Sequence, residues 1–265
     1  MLNGSLCAMQ RRTSRLAESL CCMLRGTWIL TVSLCETGKR ALFTRVKLLV
    51  GLVLICTPLS LAGVVYATYP FAEVLDSKTI CMSELTSVQR SNIQLAAQAI
   101  SGKVLRPGEE FSFNAAVGPR ASGRGYRPAP SYLGPDSPST IGGGVCLVSS
   151  AVYQLALETG CRIDQRAAHL RTIRTVPAGL DATVWYGQQD LKFRNTLPVP
   201  VQLSAKWDRN ALTMTLLGRK PSGFTPAKLN VVTERRTARD IVVQLFRRQG
   251  AHEELIWRDR YQVSL

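Results

Sequence analysis

Three residues in the C-terminal half have the types and spacing for nucleophilic chemistry: Cys146, His169 and Asp181. Cys146 follows Gly142-Gly143-Gly144-Val145 and sits at the start of a predicted helix, Val145–Thr159, that ends at Gly160. Exposed N–H groups and the dipole at a helix start favour an anion, which should lower the pKa of this thiol. The glycines allow a sharp turn, or the close approach of a substrate backbone. His169 lies 23 residues on, in a predicted strand over Ile163–Val176, and Asp181 lies 12 further, opening a second over Asp181–Tyr186. If the two strands are neighbours, the acid orients the imidazole and the imidazole activates the thiol. Backbone N–H groups of Gly143, Gly144, Val145 and Leu147 would then hold an oxyanion.

Plainer readings exist for each residue. Cys146 suits a small buried position, His169 a backbone hydrogen bond, and Asp181 a turn after Gly179. A disulfide is a further rival, because the cysteines of the C-terminal part are Cys81, Cys146 and Cys161. Cys146 and Cys161 stand at opposite ends of one helix, about 22 Å apart, so they cannot pair with each other. A Cys81–Cys161 bridge would leave Cys146 free. No metal site is expected: there are two histidines, His169 and His252, and no ligand-pair spacing. Gly142–Gly144 lacks the frame of a phosphate loop, and Ser149 and Ser150 lie inside the helix rather than on an elbow. The chemistry calls for no cofactor. A thiol on a helix followed by His and Asp on strands is also the layout of papain-like and transglutaminase-like enzymes.

The elements that position these residues follow a long apolar run. The chain has 265 residues, a net charge of +15 and 46% hydrophobic residues, so it is not a disordered chain. Leu48–Ala72 carries no charge and is long enough for a transmembrane helix, with Tyr66 and Tyr69 at an interface. Residues 1–47 hold eight basic residues against two acids, Glu18 and Glu36, and are expected to be a cytoplasmic tail. A cleaved signal peptide is the rival to this single-pass anchor. Residues 73–86 are expected to be a stalk. Residues 87–218 should form the main domain and 219–265 a C-terminal β extension. An amphipathic helix is predicted over Ser87–Ile100, a turn at Arg106-Pro107-Gly108-Glu109, and a short strand over Phe111–Asn114. Hairpin-linked strands follow at Leu191–Arg194, Val199–Trp207 and Leu212–Leu217, then Lys228–Thr233, Asp240–Phe246 and Glu254–Leu265. The expected fold is α+β: a transmembrane helix, then one domain with two main helices packed on an antiparallel sheet.

The stretches RSNIQLAAQAISGKVLRPGEEFSFNAAVGPR, GRGYRPAP, IGGGVCLVSSAVYQLAL and QRAAHLRTIRTVPAGLDATVWYGQQDLKFRN, in this order, resemble the VanW family over about Arg90–Ala205. The resemblance implies an anchored or exported protein of the bacterial cell envelope. The family takes its name from an accessory protein of glycopeptide-antibiotic (vancomycin) resistance clusters. Cys146, His169 and Asp181 stand where the family pattern has them. The family usually has Gln directly after this cysteine, where the chain has Leu147, and often Thr at the position of Ala151.

Two functional expectations result. One is a cysteine-dependent hydrolase or acyl transferase acting on cell-wall peptide amides. The other is a non-catalytic envelope module that contacts anionic wall polymer through the Arg-rich loop Val117–Ser139, with Arg120, Arg124, Tyr126, Arg127 and Tyr132 as its surface. A redox or disulfide-linked structural role is a third. Nucleic acid is not expected as a partner, since the arginines are scattered and no recognition motif accompanies them.

Overall fold

The computed structural model describes residues 70–131 and 139–263. The expected cytoplasmic tail lies outside the described residues, as do Tyr132 and all of the expected transmembrane anchor but its last three residues. Among the described residues no helix is long and apolar enough to cross a membrane.

The fold is mixed α/β with antiparallel sheets and few helices. The first element corrects an expectation. Residues 73–86 do not form a stalk: Glu73–Cys81 is strand β1, an edge of the largest sheet. Its register runs from Glu73 opposite Gly218 to Cys81 opposite Ala211.

Helix α1 spans Ser87–Ile100, as the apolar spacing predicts. Thr86 and Gln89 form a reciprocal capping box at its start, which satisfies two N–H groups that the helix itself cannot pair. Ile93, Ala96, Ala97 and Ile100 are buried on one face. Strands β2 (Val104–Leu105) and β3 (Glu110–Ser112) follow, linked by the predicted turn in which Glu109 N–H donates to the Arg106 carbonyl at 3.0 Å. The expected strand over Phe111–Asn114 stops at Ser112. Ser112 accepts from Ala115 N–H and caps a short helix, α2 (Phe113–Val117).

Strands β4 (Pro128–Pro130) and β5 (Ser139–Ile141) pair within the Arg-rich segment. Helix α3 spans Cys146–Glu158 and is buried on almost every side, which fits its weakly amphipathic sequence. Strands β6 (Arg162–Gln165) and β7 (Lys192–Arg194) form a small sheet with β3 in the order β3-β7-β6. Strands β8 (Val201–Trp207) and β9 (Ala211–Gly218) complete the four-stranded sheet β1-β9-β8-β2. Their turn is held by Asp208, whose carboxylate accepts from the N–H groups of Asn210 and Ala211. α1 packs on β8, and α3 on β1 and β9, around one apolar core.

The C-terminal extension is a three-stranded antiparallel sheet of β10 (Lys228–Arg236), β11 (Asp240–Gln249) and β12 (His252–Gln262). Cys81, Cys146 and Cys161 are all free thiols, so the Cys81–Cys161 bridge does not form. Cys161 is buried beside the Thr159 hydroxyl, whereas Cys81 is exposed at the end of β1 beside Ser83.

Candidate active site

The loop before α3 is shaped by its glycines and by α1. Asn92 of α1 is fully buried and donates to the carbonyls of Gly143 and Arg127, at 3.1 and 2.9 Å. A Cβ at Gly143 would sit 2.2 Å from the Ala129 carbonyl oxygen, so only glycine allows this approach to β4. Gly144 takes φ +100°, which redirects the chain into the helix at Cys146. The N–H groups of Gly143, Val145 and Leu147 are used inside the turn, by the carbonyls of Thr140, Gly142 and Gly144. Those of Gly144 and Cys146 carry no backbone acceptor among the described residues.

His169 and Asp181 do not lie on paired strands. Residues 166–191 are largely irregular, and Ala167 and Thr183 share one isolated bridge. The reason is local. The Asp181 carboxylate takes the backbone N–H of His169 at 2.7 Å, which replaces a ladder hydrogen bond with a side-chain one. The same Oδ2 receives Nδ1 of His169 at 2.6 Å. The other ring nitrogen, Nε2, is left for Cys146, whose thiol is lowered by a hydrogen bond with His169 and whose sulfur also lies 3.7 Å from the Val184 carbonyl. The three residues are therefore brought together, with the acid behind the imidazole and the imidazole against the sulfur.

The first turn of α3 is fastened to the segment that carries Asp181. Ser149 Oγ donates to the Ala182 carbonyl at 2.6 Å, and Ser150 Oγ accepts from Ala182 N–H at 2.9 Å. Ser150 Oγ also donates to the Cys146 carbonyl at 2.7 Å. These serines are struts, a role that their positions inside a helix did not reveal.

Behind Asp181 stands a buried ionic network that sequence reasoning missed. Arg166 Nη2 lies 2.9 Å from Asp181 Oδ1, and its Nη1 lies 2.6 Å from Asp259 of β12. Its Nε donates to the Asp181 carbonyl at 2.7 Å, and its guanidinium stacks over the Tyr153 ring. Tyr261, also of β12, donates to Asp181 Oδ1 at 2.6 Å and accepts from Gly179 N–H at 2.7 Å. The only signal in the sequence was the placing of Arg166 three residues before His169. Tyr261→Phe removes a donor from a buried carboxylate and an acceptor from a backbone N–H. It is expected to lower unfolding stability by about 1–3 kcal/mol, read by chemical denaturation.

The electrostatics follow from this arrangement. Burial pushes the Asp181 carboxyl up, but hydrogen bonds from His169 and Tyr261 and the Arg166 charge hold it below the carboxylate range. Burial disfavours the His169 cation, yet the hydrogen bonds to Asp181 and Cys146 prevail and lift it from 6.5 to about 9. Burial raises the Cys146 thiol, but the His169 hydrogen bond and charge, with help from Val184 and Arg120, bring it below its ordinary value. Both shifts favour the thiolate–imidazolium form of the pair. Because the folded value of His169 is raised, its contribution to stability is complete below about pH 6.5 and is lost as pH climbs through about 9. The denaturation midpoint should therefore fall between about pH 7 and pH 10, with a weaker pH slope in His169→Ala.

A pocket of about 460 Å³ opens over the sulfur. Its lining includes Gly142–Gly144, Cys146 and His169 on one side and Arg120, Trp185 and Tyr186 on the other. Trp185 and Tyr186 are half exposed, an adjacent aromatic pair that sequence reasoning did not single out. A narrow depression lined by Cys146, His169, Leu85, Leu147 and Thr175 adjoins it. A further cavity of about 370 Å³ shares Leu85, Leu147 and Thr175 with that depression. Cys146 and His169 thus line both the larger pocket and the depression, while the third cavity is reached only through shared lining residues. Leu147, where the family pattern has Gln, lines the depression beside Cys146 and the 370 Å³ cavity.

The expected Arg-rich binding surface is only partly present. Arg124 and Arg127 are exposed, and Arg124 lies over Gly118, where a Cβ would meet its Nη1 at 1.9 Å. Tyr126 is 3% exposed and belongs to the core, because its ring fills the space beneath the loop. Arg120 points into the Cys146 pocket rather than to an outer surface.

Residues 88–217 match the family model described as VanW like protein. These residues form a VanW-family domain. An uncharacterized protein of Bacillus subtilis (strain 168), YoaR, is 39% identical over 125 residues, which cover 47% of this chain and 41% of that protein. The vancomycin B-type resistance protein VanW of Enterococcus faecalis (strain ATCC 700802 / V583) is 30% identical over 119 residues, 42% of each chain. The chain thus spans well under half the length of the curated relatives it matches. No solved structure matches at a significant level. Cys146, His169, Asp181 and Arg166 lie within the VanW-family match, whereas Asp259 and Tyr261 lie beyond it.

Proposed function

We propose that this VanW-family domain is a cysteine-dependent hydrolase or acyl transferase of the cell envelope, acting on peptide amides of the wall. The observation that carries the reading is the chain of contacts from Asp181 to His169 to Cys146, with Cys146 and His169 both lining one pocket. Cys146 attacks the carbonyl as a thiolate, and His169 then gives its proton to the leaving amine. Asp181 keeps the imidazole oriented and charged. The unpaired N–H groups of Gly144 and Cys146 are the donors available to an oxyanion. The arrangement shares its logic with papain-like and transglutaminase-like enzymes.

The envelope location rests on the uncharged run Leu48–Ala72 and the basic residues before it, read as a single-pass anchor with the domain outside the cytoplasm. The enterococcal relative is named as a vancomycin B-type resistance protein. The test is turnover of isolated wall peptides by the full chain. Cys146→Ala should abolish turnover with the fold intact by circular dichroism. Full turnover in Cys146→Ala would refute the proposal.

The alternative, a wall-binding module without catalysis, draws on the exposed Arg124 and Arg127 and on Leu147 in place of the family Gln. It predicts that Arg124→Glu weakens sedimentation with purified wall while Cys146→Ala does not. Equal sedimentation of Arg124→Glu and the parent chain would remove it.

A further inference from the structure

The pocket over Cys146 contains a cation that the thiol chemistry alone does not account for. Arg120 lines it, with its guanidinium 5.7 Å from the centre of the Phe113 ring. Nη1 donates to Asn114 Oδ1 at 2.6 Å and to the Gly118 carbonyl at 3.2 Å. Both are neutral acceptors. Nη2 is screened from water and has no hydrogen-bond partner. Arg120 forms no ion pair with any described carboxylate, although Arg166, the other deeply placed arginine, has two. A guanidinium remains charged in a protein, and here the Cys146 sulfur and Asp190 act on it only from a distance, without an ion pair, which leaves a poorly solvated charge incompletely compensated. The side chain is also held in place: a Cβ at Gly142 would meet the Arg120 stem at 2.9 Å, so the glycine loop and the arginine fit against each other.

We propose that Arg120 is the carboxylate-recognising residue of this site, so that the substrate carries a carboxylate close to the carbonyl that Cys146 attacks. The inference deepens the thiol-enzyme reading and rests on it. A planar guanidinium matches a carboxylate with paired hydrogen bonds, which an amide or a neutral end group cannot provide. With Nη1 already engaged, the unpartnered Nη2 is the donor left for that ligand, which must uncover it on entering. A substrate blocked as an amide at this position would lose the contact and leave the guanidinium unpaired.

Two alkylating reagents of nearly equal size test this without knowledge of the substrate. Iodoacetate carries the carboxylate and iodoacetamide does not. Both are applied to the full chain, and modification of the Cys146 peptide is followed by mass spectrometry. Arg120→Gln should slow iodoacetate by about tenfold or more relative to iodoacetamide. Arg120→Lys, which keeps the charge and loses the fork, should recover part of that ratio. An unchanged ratio in Arg120→Gln overturns the assignment, and so does an equal slowing of both reagents, which would make Arg120 a support for the thiolate only. The thiol reading fails separately, if iodoacetamide modifies Cys146 of the parent chain only in the ordinary thiol range.

Discussion

Arg166→Ala should be among the most destabilising single changes in the domain. Arg166 and Asp181 have side chains about 1% exposed, and Asp259 shares the same guanidinium. Removal of the arginine leaves two carboxylates facing a buried space with no cation between them. Breaking a buried pair in this way costs about 3–5 kcal/mol. For a domain of this size that is a fall in melting temperature of roughly 6–20 °C. Arg166→Lys keeps the charge but not the three-way fork, so a smaller loss is expected. Calorimetry of both variants checks the order. A loss under about 1 kcal/mol for Arg166→Ala would mean that the network is not structural. The pH dependence carries the same signature. The Asp181 carboxyl is held low, so its contribution is present above the usual carboxylate range and is lost as pH falls through its lowered value.

The second large effect is chemical. His169→Ala removes both the hydrogen bond and the positive charge that favour the thiolate, while burial of Cys146 remains. Burial, the largest influence left, pushes the thiol up against the smaller pull of Val184 and Arg120. An ordinary thiol with a pKa near 8.5 is less than about 1% ionised at pH 6. The variant should therefore react with a neutral alkylating reagent at least several-fold more slowly at that pH. Asp181→Asn should produce a smaller loss, because the amide still accepts a hydrogen bond but no longer stabilises the imidazolium.

Local signals were the legible ones. Helix α1 has its predicted bounds because Thr86 and Gln89 cap it and its apolar residues recur at helical spacing. Helix α3 lies within one residue of its predicted bounds at each end, between Gly144 and Gly160. The turn at Arg106–Glu109 follows from Pro and Gly in its two central positions. Cys146, His169 and Asp181 were legible as residues, but the route that joins them was not. An alternating pattern over Asp181–Tyr186 looks like a strand, and the carboxylate that takes the His169 N–H prevents it.

Strand β1 was read as a stalk because it follows an apolar run and its partner, β9, lies more than 130 residues away in sequence. Arg166, Asp259 and Tyr261 were hidden for the same reason. Tyr261 reaches Asp181 across 80 residues, from a sheet outside the VanW-family match. A pairwise pattern in one sequence does not carry a contact of that kind. The consequence is physical as well as analytical: the C-terminal sheet helps hold the acid of the candidate triad in place.

The central claim is that Cys146 is a thiolate paired with His169. It is tested most directly by the pH dependence of Cys146 alkylation with iodoacetamide in the full chain, followed by mass spectrometry of that one peptide. The account predicts fast reaction well below pH ~8.5, the ordinary thiol value, and loss of that reaction in His169→Ala. A profile that rises only near 8.5 and is the same in both proteins would contradict it.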